Sequence, residues 1–244
     1  MNKLFHLYRT ELSYIAVCAV FLLITTSSVN AEIADIGLNF TLMSPQGEFG
    51  DTVDRNGYGV SFEGVYHPSV FPIGIGLELG FINYGKEDRK EPLTSTIPDM
   101  RVRVDNDNNI LAGNILFRYK PEVSVIRPYI DGIIGIKYLY TSTYVRGDHG
   151  ESFLSSNNYD DIAFSYGVGG GFMLPVYRLG KSVKQKGNVE FFLDFKVRYM
   201  IGEEADYLKE GSIIRSGSDV SYDIYRSKTD MLLFHLGVAI SFSQ

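Results

Sequence analysis

Eight stretches of the chain carry an apolar or aromatic residue at every second position, with small or polar residues between them. Such alternation is the signature of a β-strand whose two faces meet different surroundings. The last stretch is the clearest, with Phe234, Leu236, Val238, Ile240 and Phe242 on one face and His235, Gly237, Ala239 and Ser241 on the other. The seventh sets Val189, Phe191, Leu193, Phe195, Val197 and Tyr199 against Glu190, Phe192, Asp194, Lys196 and Arg198. The same rule predicts strands around Ile36–Leu42, Tyr58–Tyr66, Ile73–Phe81, Leu111–Tyr119, Ile130–Tyr140 and Phe164–Leu174, each about ten residues long. Ten residues rising ~3.3 Å each and tilted by roughly 40° cover ~25 Å, the height of the apolar band on a transmembrane barrel.

The links between these stretches alternate in length. Met43–Asn56, Tyr84–Asn109, Thr141–Asp160 and Ile201–Thr229 are long, His67–Phe71 and Lys120–Ile126 are short, and Pro175–Asn188 is intermediate. Long loops on one side and short turns on the other, with both chain ends on the short side, is the order of an up-and-down barrel in a bacterial outer membrane. Each long loop is net acidic, whereas the intermediate turn carries Arg178, Lys181, Lys184 and Lys186. The expected fold class is therefore all-β: an eight-stranded antiparallel up-and-down transmembrane β-barrel preceded by a cleaved signal peptide.

The leader is read from residues 1–31. Lys3 and Arg9 precede the uncharged run Tyr14–Ile24, and Val29-Asn30-Ala31 supplies small residues at a cleavage site, so residues 32–244 form the barrel domain. An apolar run of about 11 residues falls short of the ~20 that a spanning helix needs. Cys18, the single cysteine, lies in this leader, which leaves the mature chain without a disulfide or a thiolate metal site. The whole chain has 23 basic and 29 acidic residues; removing Lys3, Arg9 and Glu11 leaves 21 against 28, a net charge of −7. That balance has the wrong sign for a nucleic-acid partner.

With eight strands, alternating loops and stretches such as RPYIDGIIGIKY (Arg127–Tyr138) and FSYGVGGGFMLP (Phe164–Pro175), the mature sequence resembles the small outer-membrane β-barrel domain family, the OmpA and OmpX type. The resemblance covers nearly the whole mature chain and is one of pattern. It implies export to the bacterial outer membrane, contact with membrane lipid and lipopolysaccharide, insertion by the outer-membrane assembly machinery, and an extracellular partner for the loops. Members commonly end on an aromatic residue; here Phe242 is followed by Ser243 and Gln244.

The face opposite the apolar rows carries Glu63, Glu78, Asp131, Glu190 and Asp194 against Arg118, Lys137, Lys196 and Arg198. An eight-stranded barrel is filled by its own side chains, so these nine are expected to pair as a structural charge network that plugs the lumen, helped by Leu116 and Phe192. The alternative use of such charges is a narrow channel for small solutes. On the other face, Tyr58, Tyr66, Phe81, Tyr84, Tyr119, Tyr138, Tyr140 and Tyr199 are placed for aromatic girdles at the membrane surfaces.

Chemical motifs are few. Gly167-Val168-Gly169-Gly170-Gly171 continues as apolar strand on both sides, unlike a phosphate-cradling loop that opens a helix. Asp105, Asp107 and Asn109 begin with calcium-loop spacing, but Ile110 stands where the glycine is needed and Leu116 where the closing glutamate is needed, which suggests a solvated loop tip. A His-x-Ser motif, as in lipid-modifying barrels, is matched by His67 and Ser69, which fall in a short turn. No catalytic residue, cofactor site or metal site is expected. The sequence predicts a non-enzymatic surface barrel whose acidic loops serve surface interaction, adhesion or envelope integrity, with the lipid-modifying enzyme as the weaker alternative.

Overall fold

The computed structural model describes residues 32–68, 73–94, 97–121, 125–146, 152–179, 188–216 and 219–243. The leader, residues 1–31, lies outside the described residues. In chain order the elements are β1 (Glu32–Pro45), α1 (Gly47–Thr52), β2 (Gly57–Tyr66), β3 (Ile73–Thr94), β4 (Ile97–Tyr119), β5 (Arg127–Arg146), β6 (Ser152–Leu179) and β7 (Asn188–Gly202). Four short strands follow, β8 (Glu204–Tyr207), β9 (Ile213–Ser216), β10 (Asp219–Tyr222) and β11 (Tyr225–Lys228), and β12 (Met231–Ser243) ends the chain.

Strands β1 to β7 and β12 form one closed antiparallel barrel in which each strand pairs with its neighbour in this order. Closure is made by β1 on β12, with Ile36 opposite Ile240, Leu38 opposite Val238 and Phe40 opposite Leu236. The register sets apolar residue against apolar residue on the outside. A slip of one residue would turn every one of these inward, so the pattern itself fixes the pairing. Leu77, Leu79, Val168 and Leu236 on this outer surface are 68%, 64%, 66% and 51% exposed. The opposite face holds the core, which is largely polar: Asn39, Thr41, Ser61, Glu63, Glu78, Arg118, Asp131, Asp194 and Arg198 are all buried.

The strands run well past the predicted ten residues. β3, β4, β5 and β6 are 22, 23, 20 and 28 residues long. Most of Tyr84–Asn109 and much of Thr141–Asp160, expected as loops, are paired strand, and Arg89 pairs with Val104 while Thr143 pairs with Ser156. Beyond the apolar band β3 carries the charged run Lys86–Glu91 and β4 the polar run Asp105–Asn109, where the alternation that marks a strand disappears while the backbone ladder continues. Side-chain bonds between strands replace it: Thr141 Oγ1 donates to Asn108 Oδ1 at 2.7 Å and Thr143 Oγ1 to Asn106 Oδ1 at 2.6 Å. Asp105 and Asn109 consequently sit buried in β4 and not at a loop tip. β6 likewise extends through Leu179 into the predicted turn, of which residues 180–187, with Lys181, Lys184 and Lys186, lie outside the described residues.

Ile201–Thr229, expected as one loop, contains two small hairpin sheets, β8 with β11 and β9 with β10. Tyr84 also departs from expectation. It shares the inward parity of Ile82, adjoins a register shift between Asn83 and Gly85, and is buried at 2% exposure instead of joining an outer girdle. Tyr58, Tyr66, Phe81 and Tyr199 are exposed on the outer face as predicted.

Candidate functional site in the barrel interior

Seven of the nine predicted interior charges meet at mid-barrel. Arg118 on β4 grips Asp131 on β5 with two bonds, Nε to Oδ1 at 2.7 Å and Nη2 to Oδ2 at 2.9 Å, and its Nη2 also reaches Glu63 Oε1 on β2 at 3.1 Å. Arg198 on β7 spans the lumen to Glu63 Oε2 at 3.0 Å, Asp131 Oδ2 at 2.8 Å and Glu78 on β3. Lys196 lies 2.6 Å from Glu63 Oε2 and 3.1 Å from Asp194 Oδ2. Four carboxylates thus face three cations, and each cation bridges at least two carboxylates. Forked guanidinium groups suit this geometry, because each presents five donors in one plane. Neutral groups complete the layer: Tyr129 Oη donates to Asp194 Oδ1 at 2.6 Å, and Asn114 Nδ2 donates to Glu78 Oε1 at 3.0 Å. The Arg118 guanidinium also stacks 4.0 Å from the Tyr129 ring centre.

Two predicted members lie elsewhere. Glu190 pairs with Arg127 at 2.5 Å and Arg178 at 2.6 Å near the end of the barrel that holds the chain termini. Lys137 points toward the other end and donates to the Thr229 carbonyl. Alternation assigns a face but not a height along the axis, and height separates these two from the rest.

A second charged layer near the termini was not anticipated. Asp35 accepts from Lys120 Nζ at 2.6 Å and Ser241 Oγ at 2.5 Å and lies 2.8 Å from His67 Nε2. Asp35 has the inward parity of Asn39 and Thr41, so the signal was present in the first strand; His67 and Lys120 come from turns, where periodicity carries no information. His67 is therefore engaged by a carboxylate, and Ser69 lies outside the described residues. The glycine run of β6 explains how such bulky groups fit. A Cβ at Gly171 would stand 2.6 Å from the Tyr129 ring, and Gly169 faces Arg198.

Above the charged layer the lumen narrows to a cavity of about 20 Å3 between Thr41, Glu78, Asn114, Lys137, Ser165 and His235. That is room for about one water molecule. His235 is held by Thr41 Oγ1, 2.9 Å from its Nδ1.

The loop end is roofed by hydrophobic packing. Phe49 of α1, fully buried, lies between Tyr84 and Tyr207, with ring centres 5.8 and 5.1 Å away. Tyr84 Oη donates to the Leu208 carbonyl at 3.1 Å, and Gln46 N donates to the Asp230 carbonyl at 2.9 Å. Lys228 N donates to Glu48 Oε2 at 3.1 Å. The first and last loops are thereby tied together over the barrel. Among the described residues no group of His, Cys, Asp or Glu has the arrangement of a metal site.

No protein-family model matches the chain, and no curated protein sequence matches it. Among solved structures, the fold is similar to Neisserial surface protein A, with 9% identity over 88% of this chain and 98% of that one and a TM-score of 0.44. It is also similar to Ail, the attachment invasion locus protein of Yersinia pestis (12% identity, 86% and 99% covered, TM-score 0.40). A major outer membrane protein from Thermus thermophilus matches at 13% identity, with 85% and 98% covered and a TM-score of 0.36.

Proposed function

We propose that this protein is an integral barrel of the bacterial outer membrane, closed to solutes, that displays structured loops at the cell surface for adhesion or other surface contact. The observation that carries the membrane reading is the outer face of the barrel. Leu38, Phe40, Val60, Phe62, Leu77, Leu79, Ile130, Ile136, Val168, Leu236 and Val238 are all more than half exposed and come from six strands. A soluble protein rarely exposes a continuous apolar surface beyond a few hundred Å2, whereas lipid is the solvent such a belt requires. No described helix is long and apolar enough to cross a membrane, so spanning falls to the strands.

Closure is supported at three heights: the Asp35 layer, the mid-barrel charge layer and the roof around Phe49. A solute would have to break buried ion pairs in the first two, and separating one partner from such a pair costs about 3–5 kcal/mol. The surface role is supported by the loop end, where Phe49 packs between Tyr84 and Tyr207 and ties the first and last loops together over the barrel, leaving exposed segments to recognise partners. The test is electrical. Refolded protein in planar bilayers is expected to give no steady conductance steps; regular open steps would establish a channel and overturn the closed-lumen reading.

A further inference from the structure

Ser165 on β6 stands between two glycines, with Gly135 opposite it on β5 and Gly202 opposite it on β7. Neither neighbouring strand has a side chain at that level, and two polar groups reach into the gaps from further away. Asn114 on β4 is paired with Gly135, and a Cβ at Gly135 would collide with Asn114 Oδ1. Lys137 on β5 is paired with Ala163, whose small side chain lets the lysine stem cross β6; a Cβ at Gly202 would collide with Lys137 Nζ. Asn114 Oδ1, Ser165 Oγ and Lys137 Nζ thus follow one another along one row of the inner wall. All three residues line the cavity of about 20 Å3, and more than nine-tenths of each is buried.

The hydrogen bonds of this row are incomplete. Asn114 Nδ2 donates to Glu78 Oε1 at 3.0 Å, which fixes the amide, because a carboxylate accepts and the amide oxygen must turn away from it. Asn114 Oδ1 and Ser165 Oγ are buried without a partner among the described residues, so the row does not bond to itself. Of the three donors on Lys137 Nζ, one is taken by the Thr229 carbonyl. Buried polar atoms are nearly always satisfied, by protein or by ordered water.

The chemistry of the row selects its occupant. Lys137 repels a cation, and Glu78, which lines the same cavity, repels an anion. An apolar molecule would leave the buried polar atoms unpaired. A small neutral molecule that accepts from Lys137 Nζ and donates to Asn114 Oδ1 and Ser165 Oγ answers every group, and the cavity has the volume for one water, which typically makes about three hydrogen bonds when buried. We infer that the cavity is a binding site for one long-lived water molecule, held by Lys137, Ser165 and Asn114. His235 Nε2, from β12, is unpartnered too and lines the same cavity, but the site does not depend on it.

The water solvates the Lys137 ammonium inside the wall, so that this cation can stand there and still hold Thr229 at the end of the last loop. It also accounts for Gly135 and Gly202, where a side chain would displace the oxygen or the ammonium that binds the water. Ile82, Ile110, Met200, Met231 and Leu233 complete the lining, so the water leaves only when the interior opens. Lying inside the wall, the site is the same whatever solvent meets the outer face.

Two measurements on the mature barrel refolded in detergent test this, each on protein whose heat-modifiable band shows that it is folded. In crystals that diffract far enough to resolve ordered water, a water is expected within hydrogen-bond distance of Lys137 Nζ, Ser165 Oγ and Asn114 Oδ1. No water there, or a rotamer that bonds Ser165 Oγ directly to either of the other two atoms, would overturn the inference. In solution, magnetic relaxation dispersion of the water-oxygen signal counts waters that stay bound for longer than the barrel takes to tumble. Ser165→Val places methyl groups in the cavity and is expected to lower that count by one; an unchanged count in the folded variant would overturn the inference. The crystals use the native chain, so that measurement decides the matter even where the variant does not fold.

Discussion

Removing the guanidinium of Arg198 tests whether the interior charges act as one unit. In Arg198→Met, Glu63, Asp131 and Glu78 lose a shared partner that lies 3.0 Å from the first and 2.8 Å from the second. Arg118 and Lys196 remain near Glu63, and among the described residues Arg198 is the cation that reaches Glu78. The layer goes from four carboxylates against three cations to four against two. Leaving a buried charge uncompensated costs about 3–5 kcal/mol, or roughly two to nearly four orders of magnitude in the folding constant. Glu78→Gln alone keeps an acceptor for Asn114 and is expected to cost about 1–3 kcal/mol. The double variant has three carboxylates against two cations, the same imbalance of one negative charge as the native layer. It is therefore expected to be more stable than Arg198→Met alone, with a coupling of about 1–3 kcal/mol. The assay is urea unfolding in lipid vesicles, read from the fraction of protein that keeps its unboiled gel mobility. Costs that simply add across the two sites would refute the picture of a bridged network.

The remaining expectations concern the other layers. Leu77→Arg, on the outer band, is expected to lower stability in vesicles by about 2–4 kcal/mol and to reduce the folded fraction on gels; no effect would mean that this face does not meet lipid. Gly171→Val pushes a side chain into the Tyr129 ring, where even a Cβ stands 2.6 Å away, and is expected to abolish the heat-modifiable band. Phe49→Ala removes the ring between Tyr84 and Tyr207 and is expected to speed proteolysis within residues 203–230. It should leave barrel mobility and the absence of conductance unchanged, because the charged layers lie beneath the roof.

The barrel is legible because an apolar outer face and a polar interior impose opposite demands on alternate residues, as in Phe234–Phe242. Where that contrast ends, legibility ends. Asn106 and Thr143 sit in the polar runs Asp105–Asn109 and Thr141–Thr143 of paired strands, where the apolar alternation lapses and a bond between the strands takes its place. Parity likewise identified Glu63, Arg118 and Arg198 as interior groups, but it cannot rank residues by height, which is why Lys137 and Glu190 were grouped with partners they do not touch. Tyr84 has an aromatic's preference for the membrane surface but the inward parity of Ile82, and parity governs its position. The Phe49 roof depends on contacts between the first and last loops, some 160 residues apart in sequence, a separation that no local pattern encodes.

Whether the strands span the outer membrane can be read in the cell. Expressing the chain with its leader in a Gram-negative host, isolating outer membranes and comparing gel mobility with and without boiling tests it directly. A band in that fraction whose mobility changes on boiling is expected, whereas a soluble periplasmic product would refute membrane spanning and make the outer apolar belt a surface for some other partner.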